Sequence, residues 1–210
     1  DARRDISVVG IAGPGDPMCD ADKILETFRL VKREIPHVML CLSSNGLAMP
    51  DYIDEIHDLG ITHVTITANA NDPVVASRMY SMVCYDDTIY RGIEGARILL
   101  ERQAESIRKL KELNIIVKIN TVVVPEVNME HVPAIAKQAE AWGVDLMNCI
   151  AMIPVHDTAF ENHRSPTRDE IDNIRQFIGR YVPQMTHCKR CRAEGQRYRD
   201  GIPELRSVSS

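Results

Sequence analysis

Val8-Val9-Gly10-Ile11-Ala12-Gly13-Pro14-Gly15-Asp16-Pro17 is the stretch of sequence that decides the fold. A short apolar run ends in a loop made almost entirely of glycine and proline, and a segment with helical periodicity follows. This order predicts a buried strand that leads through a loop into a helix, and such loops carry the sites of α/β enzymes. The loop offers carbonyl groups with few bulky side chains, which suits a cationic ligand group such as an amino-acid ammonium. An ordinary tight turn is the alternative.

Strand-like and helix-like segments alternate along almost the whole chain. Five successive β-α units of this kind predict parallel strands joined by right-handed crossovers, with the helices outside. A full or partial (β/α) barrel is favoured over an open nucleotide-binding sheet, because no Gly-x-Gly-x-x-Gly or Walker motif occurs. Segment 75–91 is less regular and is predicted to be a lid or an insertion. The predicted strands are 6–12, 38–42, 63–68, 115–124 and 144–150, and the predicted helices are 21–34, 51–58, 92–113, 129–141 and 167–180.

The composition limits the function classes that the chain can serve. With 210 residues, 44% hydrophobic and 26% charged, the chain is long enough to bury an ordinary core. We expect a core at 1–183 and a C-terminal tail at 184–210. A net charge of -5 argues against a general nucleic-acid or acidic-membrane surface. No apolar run approaches the roughly 18 residues that span a bilayer, and no signal-peptide pattern precedes Asp1, so a cytoplasmic protein is expected.

Cysteines are numerous for a chain of this size. The six are Cys19, Cys41, Cys84, Cys149, Cys188 and Cys191. Nothing indicates secretion, so ligation of a metal or cluster is favoured over a disulfide framework. Cys188 and Cys191 are three residues apart among basic neighbours that favour the thiolate form, which suits one metal or one cluster edge. Cys41, Cys149, His187 or a partner are candidates for the remaining ligands, and a redox-inert pair in the tail is the alternative.

Polar residues recur on one face of the predicted strands. In the stretch 63–69, alternation places Thr65, Thr67 and Asn69 on one face and aliphatic residues on the other. Lys118-Ile119-Asn120 and Met147-Asn148-Cys149 repeat the pattern. Aliphatic side chains usually fill a barrel interior, and buried polar groups cost stability unless they are bonded. A polar ligand in the barrel mouth would bond to them, and mutual hydrogen bonding with trapped water is the alternative.

Taken together, five segments of the chain resemble one known family. They are Gly10–Pro17, Cys41–Gly46, His63–Thr67, Lys118–Asn120 and His187–Ala193, in this order and at similar spacing. The chain resembles the NifB family of radical S-adenosylmethionine (SAM) proteins, which act in the biosynthesis of the nitrogenase iron–molybdenum cofactor. The resemblance covers the chain from Ile6 to about Gly195. It implies an α/β fold, a partial (β/α) barrel of the radical SAM type, and 4Fe-4S clusters and SAM as cofactors.

The resemblance also implies an activity, partners and site residues. The activity is that of a radical SAM enzyme of lyase or transferase type, which inserts a SAM-derived carbon while fusing two 4Fe-4S clusters into an 8Fe carbide precursor. The implied partners are SAM, an iron–sulfur cluster donor, cofactor-accepting maturation proteins and a low-potential electron donor, with no nucleic acid and no membrane. The implied SAM residues are Gly13, Pro14, Gly15, Asp16, Ser43, Asn45, Thr67, Asn69, Asn120, Ile150, Met152 and Ile153, and the implied ligands of the substrate clusters are Cys41, Cys188 and Cys191.

One element of the family's pattern is not in this sequence. Family members carry a Cys-x3-Cys-x2-Cys loop that holds the SAM-cleaving cluster, and no such spacing occurs here. In the family that loop lies in the first β-α unit, and this chain begins near the second strand. The first unit is therefore expected to be missing, which would expose a strand edge and leave the chain unable to generate the radical unaided.

Two other functions compete with this interpretation. A non-catalytic iron–sulfur cluster scaffold or carrier would bind clusters without any dependence on SAM. A metal-free barrel enzyme for a small phosphate ester ranks last, because no Gly-rich phosphate loop follows the late strands.

Overall fold

The computed structural model describes residues 6–13 and 15–184. Predictions that concern Pro14, His187, Cys188, Cys191 or the tail beyond residue 184 lie outside the described residues. The strands are β1 (Val8–Ile11), β2 (Met39–Ser44), β3 (Ile61–Thr67), β4 (Val83–Tyr85), β5 (Thr88–Tyr90), β6 (Ile116–Val123) and β7 (Leu146–Ala151). The α-helices are α1 (Ala21–Glu34), α2 (Ile53–Asp58), α3 (Pro73–Met79), α4 (Gly92–Glu112), α5 (Val132–Ala141) and α6 (Arg168–Ile178).

Five of the strands form one parallel sheet. Their order is β1-β2-β3-β6-β7, and each neighbouring pair is parallel. Helices connect consecutive strands of this sheet, as parallel pairing requires. The α/β class and the five β-α units predicted from the sequence are confirmed. Within the described ranges β1 pairs on one side only, with β2.

The hydrophobic core lies between the helices and one face of the sheet. Leu25 and Phe28 of α1 and Ile107 of α4 are fully buried there. The sheet contributes the alternate strand residues, and each fully buried aliphatic or aromatic side chain stabilises the fold by roughly 1.5–3 kcal/mol. The sheet residues in this core include Leu40, Leu42, Val64, Ile66, Val117, Ile119 and Met147.

The segment predicted as an irregular lid or insertion is more ordered than its sequence suggests. It contains most of α3, which begins two residues earlier, and the antiparallel hairpin β4–β5. Helix α3 begins where the Asp72 side chain accepts hydrogen bonds from the backbone N–H groups of Val74 and Val75 at 2.9 and 3.1 Å, with Pro73 in the first turn. This Asp-Pro start is a sequence signal for a helix that the prediction missed.

No helix within the described ranges combines the length and the apolar character that crossing a bilayer demands.

Candidate functional site

The face of the sheet opposite the helices is polar. We call it the open face, and it is formed by the strand residues that alternate with the core residues. The cross-strand register places Ser43, Thr65 and Lys118 side by side in one row. The next row toward the carboxyl ends of the strands contains Thr67, Asn120 and Asn148.

The side chains of Thr65, Thr67 and Asn120 are half-buried, whereas their strand neighbours Ile66 and Ile119 are fully buried in the core. The alternation predicted from the sequence for these three residues is therefore confirmed. The open face also has internal contacts, since the Asn148 amide donates to the Asn120 amide oxygen at 3.3 Å. It presents hydroxyl, amide and ammonium groups to whatever binds there.

Asp16 fastens the Gly/Pro loop to the end of β2. One carboxylate oxygen accepts from the Met18 N–H and from the Ser44 hydroxyl, both at 2.9 Å. The other accepts from the Asn45 N–H. The Asp16 carboxylate thus joins two loops. Gly15 and Asp16 lie in the first and Asn45 lies in the second, and all three are implied SAM residues.

Glycine is required in this loop for steric reasons. A Cβ atom at Gly13 would lie 2.3 Å from the carbonyl oxygen of Gly15, which no real Cβ tolerates. Gly15 has φ +79, in the left-handed region that favours glycine. The backbone therefore folds back on itself directly after β1, at the carboxyl end of the sheet.

Helix α4 holds the second loop, which follows β2. The Gln103 side chain is 2% exposed, and its amide donates to the carbonyls of Asn45 at 2.8 Å and Thr67 at 2.9 Å. Ser106 donates to the Gly46 carbonyl at 2.8 Å. These bonds fix the loop after β2 relative to the end of β3. Sequence reasoning missed Gln103 because a single polar residue in a helical segment gives no signal of its buried partners.

A group of buried polar side chains joins β3 to β6. The Asn69 amide oxygen accepts from the Val122 N–H at 2.8 Å, and the Asn128 amide donates to the carbonyls of Asn69 and Val122 at 2.9 and 2.8 Å. Burial raises the pKa of the Tyr80 hydroxyl, which bonds to Asn69, to about 12. The resemblance implies that Asn69 binds SAM. In the structure Asn69 is buried, and its hydrogen bonds hold the end of β3 against β6.

The implied adenine segment follows β7. Ile150 is half-buried and pairs in register with Val122, and Met152 is buried with its N–H bonded to the Val123 carbonyl at 3.1 Å. Ile153 is 72% exposed. An exposed aliphatic side chain beside the carboxyl end of β7 is available to a flat apolar group such as a nucleobase.

The cysteines differ sharply in their surroundings. Cys41 is half-buried on the open face, and Gly10 is its partner in register on β1. A Cβ at Gly10 would lie 3.3 Å from the Cys41 Cβ, so the glycine leaves room beside the thiol. Cys149 is fully buried, and burial raises the pKa of its thiol to about 12. A thiol that stays protonated is a poor ligand, so Cys41 remains the candidate ligand among the described residues.

A group of metal-ligating residue types lies on the loop after β7. His156, Asp157 and Glu161 place ligand atoms within 4.8 Å of one another, and all three side chains are exposed. Exposed groups of this kind are common on loops that hold no metal, so the geometry alone does not define a metal site.

Comparison with known proteins defines the class to which this arrangement belongs. Residues 2–139 match the model of the Radical SAM superfamily, and the chain belongs to that superfamily. The chain is 41% identical over 189 residues to the FeMo cofactor biosynthesis protein NifB of Chlorobaculum tepidum, with 90% of this chain and 45% of the relative covered. It is 40% identical over 189 residues to NifB of Methanocaldococcus jannaschii, with 90% of this chain and 62% of the relative covered.

The resemblance to the NifB family is therefore confirmed, and the chain spans roughly half the length of these curated relatives. Solved structures show the same fold. Methylornithine synthase (PylB) matches with a TM-score of 0.58 at 14% identity, covering 84% of this chain and 49% of that one. Native anSMEcpe with bound AdoMet and a peptide matches with a TM-score of 0.57 at 12% identity, covering 93% and 48%. At such identities the likeness concerns the fold alone.

Proposed function

We propose that this chain is the core of a radical SAM enzyme of nitrogenase cofactor maturation. The whole activity would insert a SAM-derived carbon while two 4Fe-4S clusters are fused into an 8Fe carbide precursor. The observation that carries the proposal is the polar open face of the sheet, with two loops fastened at its carboxyl edge. Membership of the Radical SAM superfamily and the similarity to NifB proteins support it.

The groups on the open face fit SAM. The methionyl part carries an ammonium and a carboxylate, and the ribose carries hydroxyls, so the ligand needs both donors and acceptors. Thr67 and Asn120 offer both kinds of group beside each other in register. Residues 13–16 would line the site of the methionyl group, Asn45 would be among the residues around SAM, and the segment 150–153 would border the adenine.

Bound SAM would supply radical chemistry when a 4Fe-4S cluster reduces it, and the methyl group of SAM would supply the carbon atom. The chain's own contribution is to orient the ligand and to keep water away from it. Asp16 does so indirectly, because its carboxylate fixes Asn45 and Ser44 rather than pointing freely into the open face.

Ligation of the substrate clusters is assigned to Cys41, Cys188 and Cys191. Cys41 fits this role because its thiol lies on the same polar face, next to the space left by Gly10. The sequence holds no Cys-x3-Cys-x2-Cys spacing, so the SAM-cleaving cluster finds no such loop within these 210 residues. We therefore propose that the chain by itself binds SAM but forms no 5′-deoxyadenosine when a low-potential reductant is added.

Calorimetric titration with SAM under anaerobic conditions tests the proposal. The expected result is binding to the wild type that weakens at least about tenfold in Asn120→Leu, which removes the amide from the open face. Asn173→Leu makes the same replacement at an exposed position of α6 and serves as the matched control. A wild type that shows no heat of binding contradicts the proposal.

The alternative function is a cluster scaffold that does not depend on SAM. The same titration, combined with cluster reconstitution, distinguishes this scaffold from the enzyme. After anaerobic incubation with ferrous iron and sulfide, the wild type should retain iron, and Cys41→Ser and Cys188→Ser/Cys191→Ser should retain less. Cys84→Ser should match the wild type, because Cys84 is exposed on the β4–β5 hairpin. Iron retention without SAM binding would favour the scaffold.

A further inference from the structure

Lys118 is the only residue with a permanent charge on the strands of the parallel sheet. Those strands contain no aspartate and no glutamate. The side chain belongs to the open face, because Val117 and Ile119 on either side of it are fully buried in the core. The strands therefore contribute one positive charge and no negative charge to the open face, within a chain whose net charge is -5.

No other described residue pairs with Lys118, although its side chain is half-buried. The remaining lysines between residues 15 and 184 all have partners. Lys23 contacts Asp20, Lys32 contacts the Val38 carbonyl, Lys109 contacts Glu105, Lys111 contacts Asp145 and Lys137 lies over the Tyr181 ring.

A half-buried lysine side chain has part of its surface removed from water, and this one gains no described hydrogen bond or ion pair in return. In its row Lys118 lies beside Thr65, and Ser43 is one strand further away, so two hydroxyl donors share the row with it. The row of Thr67 and Asn120 is two residues further along the strands, about 6.6 Å away. A lysine side chain spans that distance, so the ammonium can reach a ligand held by either row.

We propose that Lys118 is the anion-binding residue of the open face. This inference rests on the proposed function, and it specifies the charge that the site accepts. The ligand group is anionic, and two sources of it fit: the carboxylate of SAM, or a thiolate-ligated iron–sulfur cluster, which carries net negative charge. A lysine whose charged end merely reaches into water is the competing explanation.

Titration of Lys118→Met with two probes distinguishes these possibilities. SAM carries the carboxylate, and 5′-methylthioadenosine keeps the nucleoside and lacks both the carboxylate and the ammonium. If the anion is the SAM carboxylate, Lys118→Met weakens SAM binding at least about tenfold and leaves methylthioadenosine binding unchanged. If the anion is the cluster, SAM binding is unchanged, and the variant retains less iron and sulfide after anaerobic reconstitution.

Three further measurements make the test decisive. Lys118→Arg should restore most of the lost binding, because the charge is kept. Lys23→Met removes a lysine from the exposed face of α1 and should change neither binding nor iron content. In urea, Lys118→Met should be at least as stable as the wild type, since the ammonium makes no described contact that the substitution would remove.

Unchanged SAM affinity together with unchanged iron content in Lys118→Met overturns the inference, as does equal weakening of both nucleoside probes. A wild type that binds neither SAM nor iron overturns the proposed function as well, so the two failures can be told apart.

Discussion

Replacing Gln103 with methionine is the perturbation whose effect the structure fixes most closely. The Gln103 amide donates to the Asn45 carbonyl at 2.8 Å and to the Thr67 carbonyl at 2.9 Å, from a side chain that is 2% exposed. Methionine fills nearly the same volume and donates neither bond. Two carbonyls in a poorly solvated position then lose a donor, at about 1–2 kcal/mol each, the lower part of the range for an unsatisfied buried group. We expect the free energy of unfolding to fall by about 2–4 kcal/mol.

Urea denaturation followed by circular dichroism measures this difference, and thermal unfolding should show a Tm lower by roughly 5–15 °C. Gln138→Met is the matched control. Gln138 lines the same cavity of about 90 Å³ as Gln103, and its side chain makes no hydrogen bond within the described part of the chain. That variant should stay within about 0.5 kcal/mol of the wild type. Equal losses in the two variants, or no loss in Gln103→Met, would refute the reasoning.

Three other predictions concern the loop, the alkaline limit of stability and a helix start. Gly13→Ala should weaken SAM binding at least about tenfold, measured by calorimetry, because its Cβ would lie 2.3 Å from the Gly15 carbonyl; unchanged affinity contradicts this. Burial raises the pKa of Cys149 and of Tyr80 to about 12. The stability that their neutral forms contribute is present below about pH 9 and is lost as the pH rises toward 12. The urea midpoint of the wild type should therefore fall over that range, and it should fall less in Tyr80→Phe. Thr167→Ala should lower the free energy of unfolding by about 1 kcal/mol in urea, because the Thr167 side chain caps α6; no change contradicts the capping role.

The sequence predicted the repeating architecture because parallel strands and amphipathic helices leave strong periodic signals. The alternation of Thr65 and Thr67 with Ile66 shows this directly, since the pattern follows from strand geometry alone. Helix α1 was predicted with the bounds that it has, Ala21–Glu34. The polar face of the sheet was predictable for the same reason.

The supports of the candidate site were not predictable from local pattern. Gln103 and Asn128 each act on backbone groups that belong to other segments of the chain, so their neighbours in sequence say nothing about their role. Cys149 illustrates the converse. Its position at a strand end suggests a ligand, but its complete burial raises the pKa of the thiol to about 12, which argues against that role.

The central claim is that the open face of the sheet binds SAM. Hydrogen–deuterium exchange with and without SAM tests it most directly, because exchange reports on each segment separately. We predict slower exchange in peptides covering 11–16, 43–47 and 118–122 when SAM is present, with α1 unchanged. Unaltered exchange in those peptides at saturating SAM, or protection confined to the helices, would contradict the account.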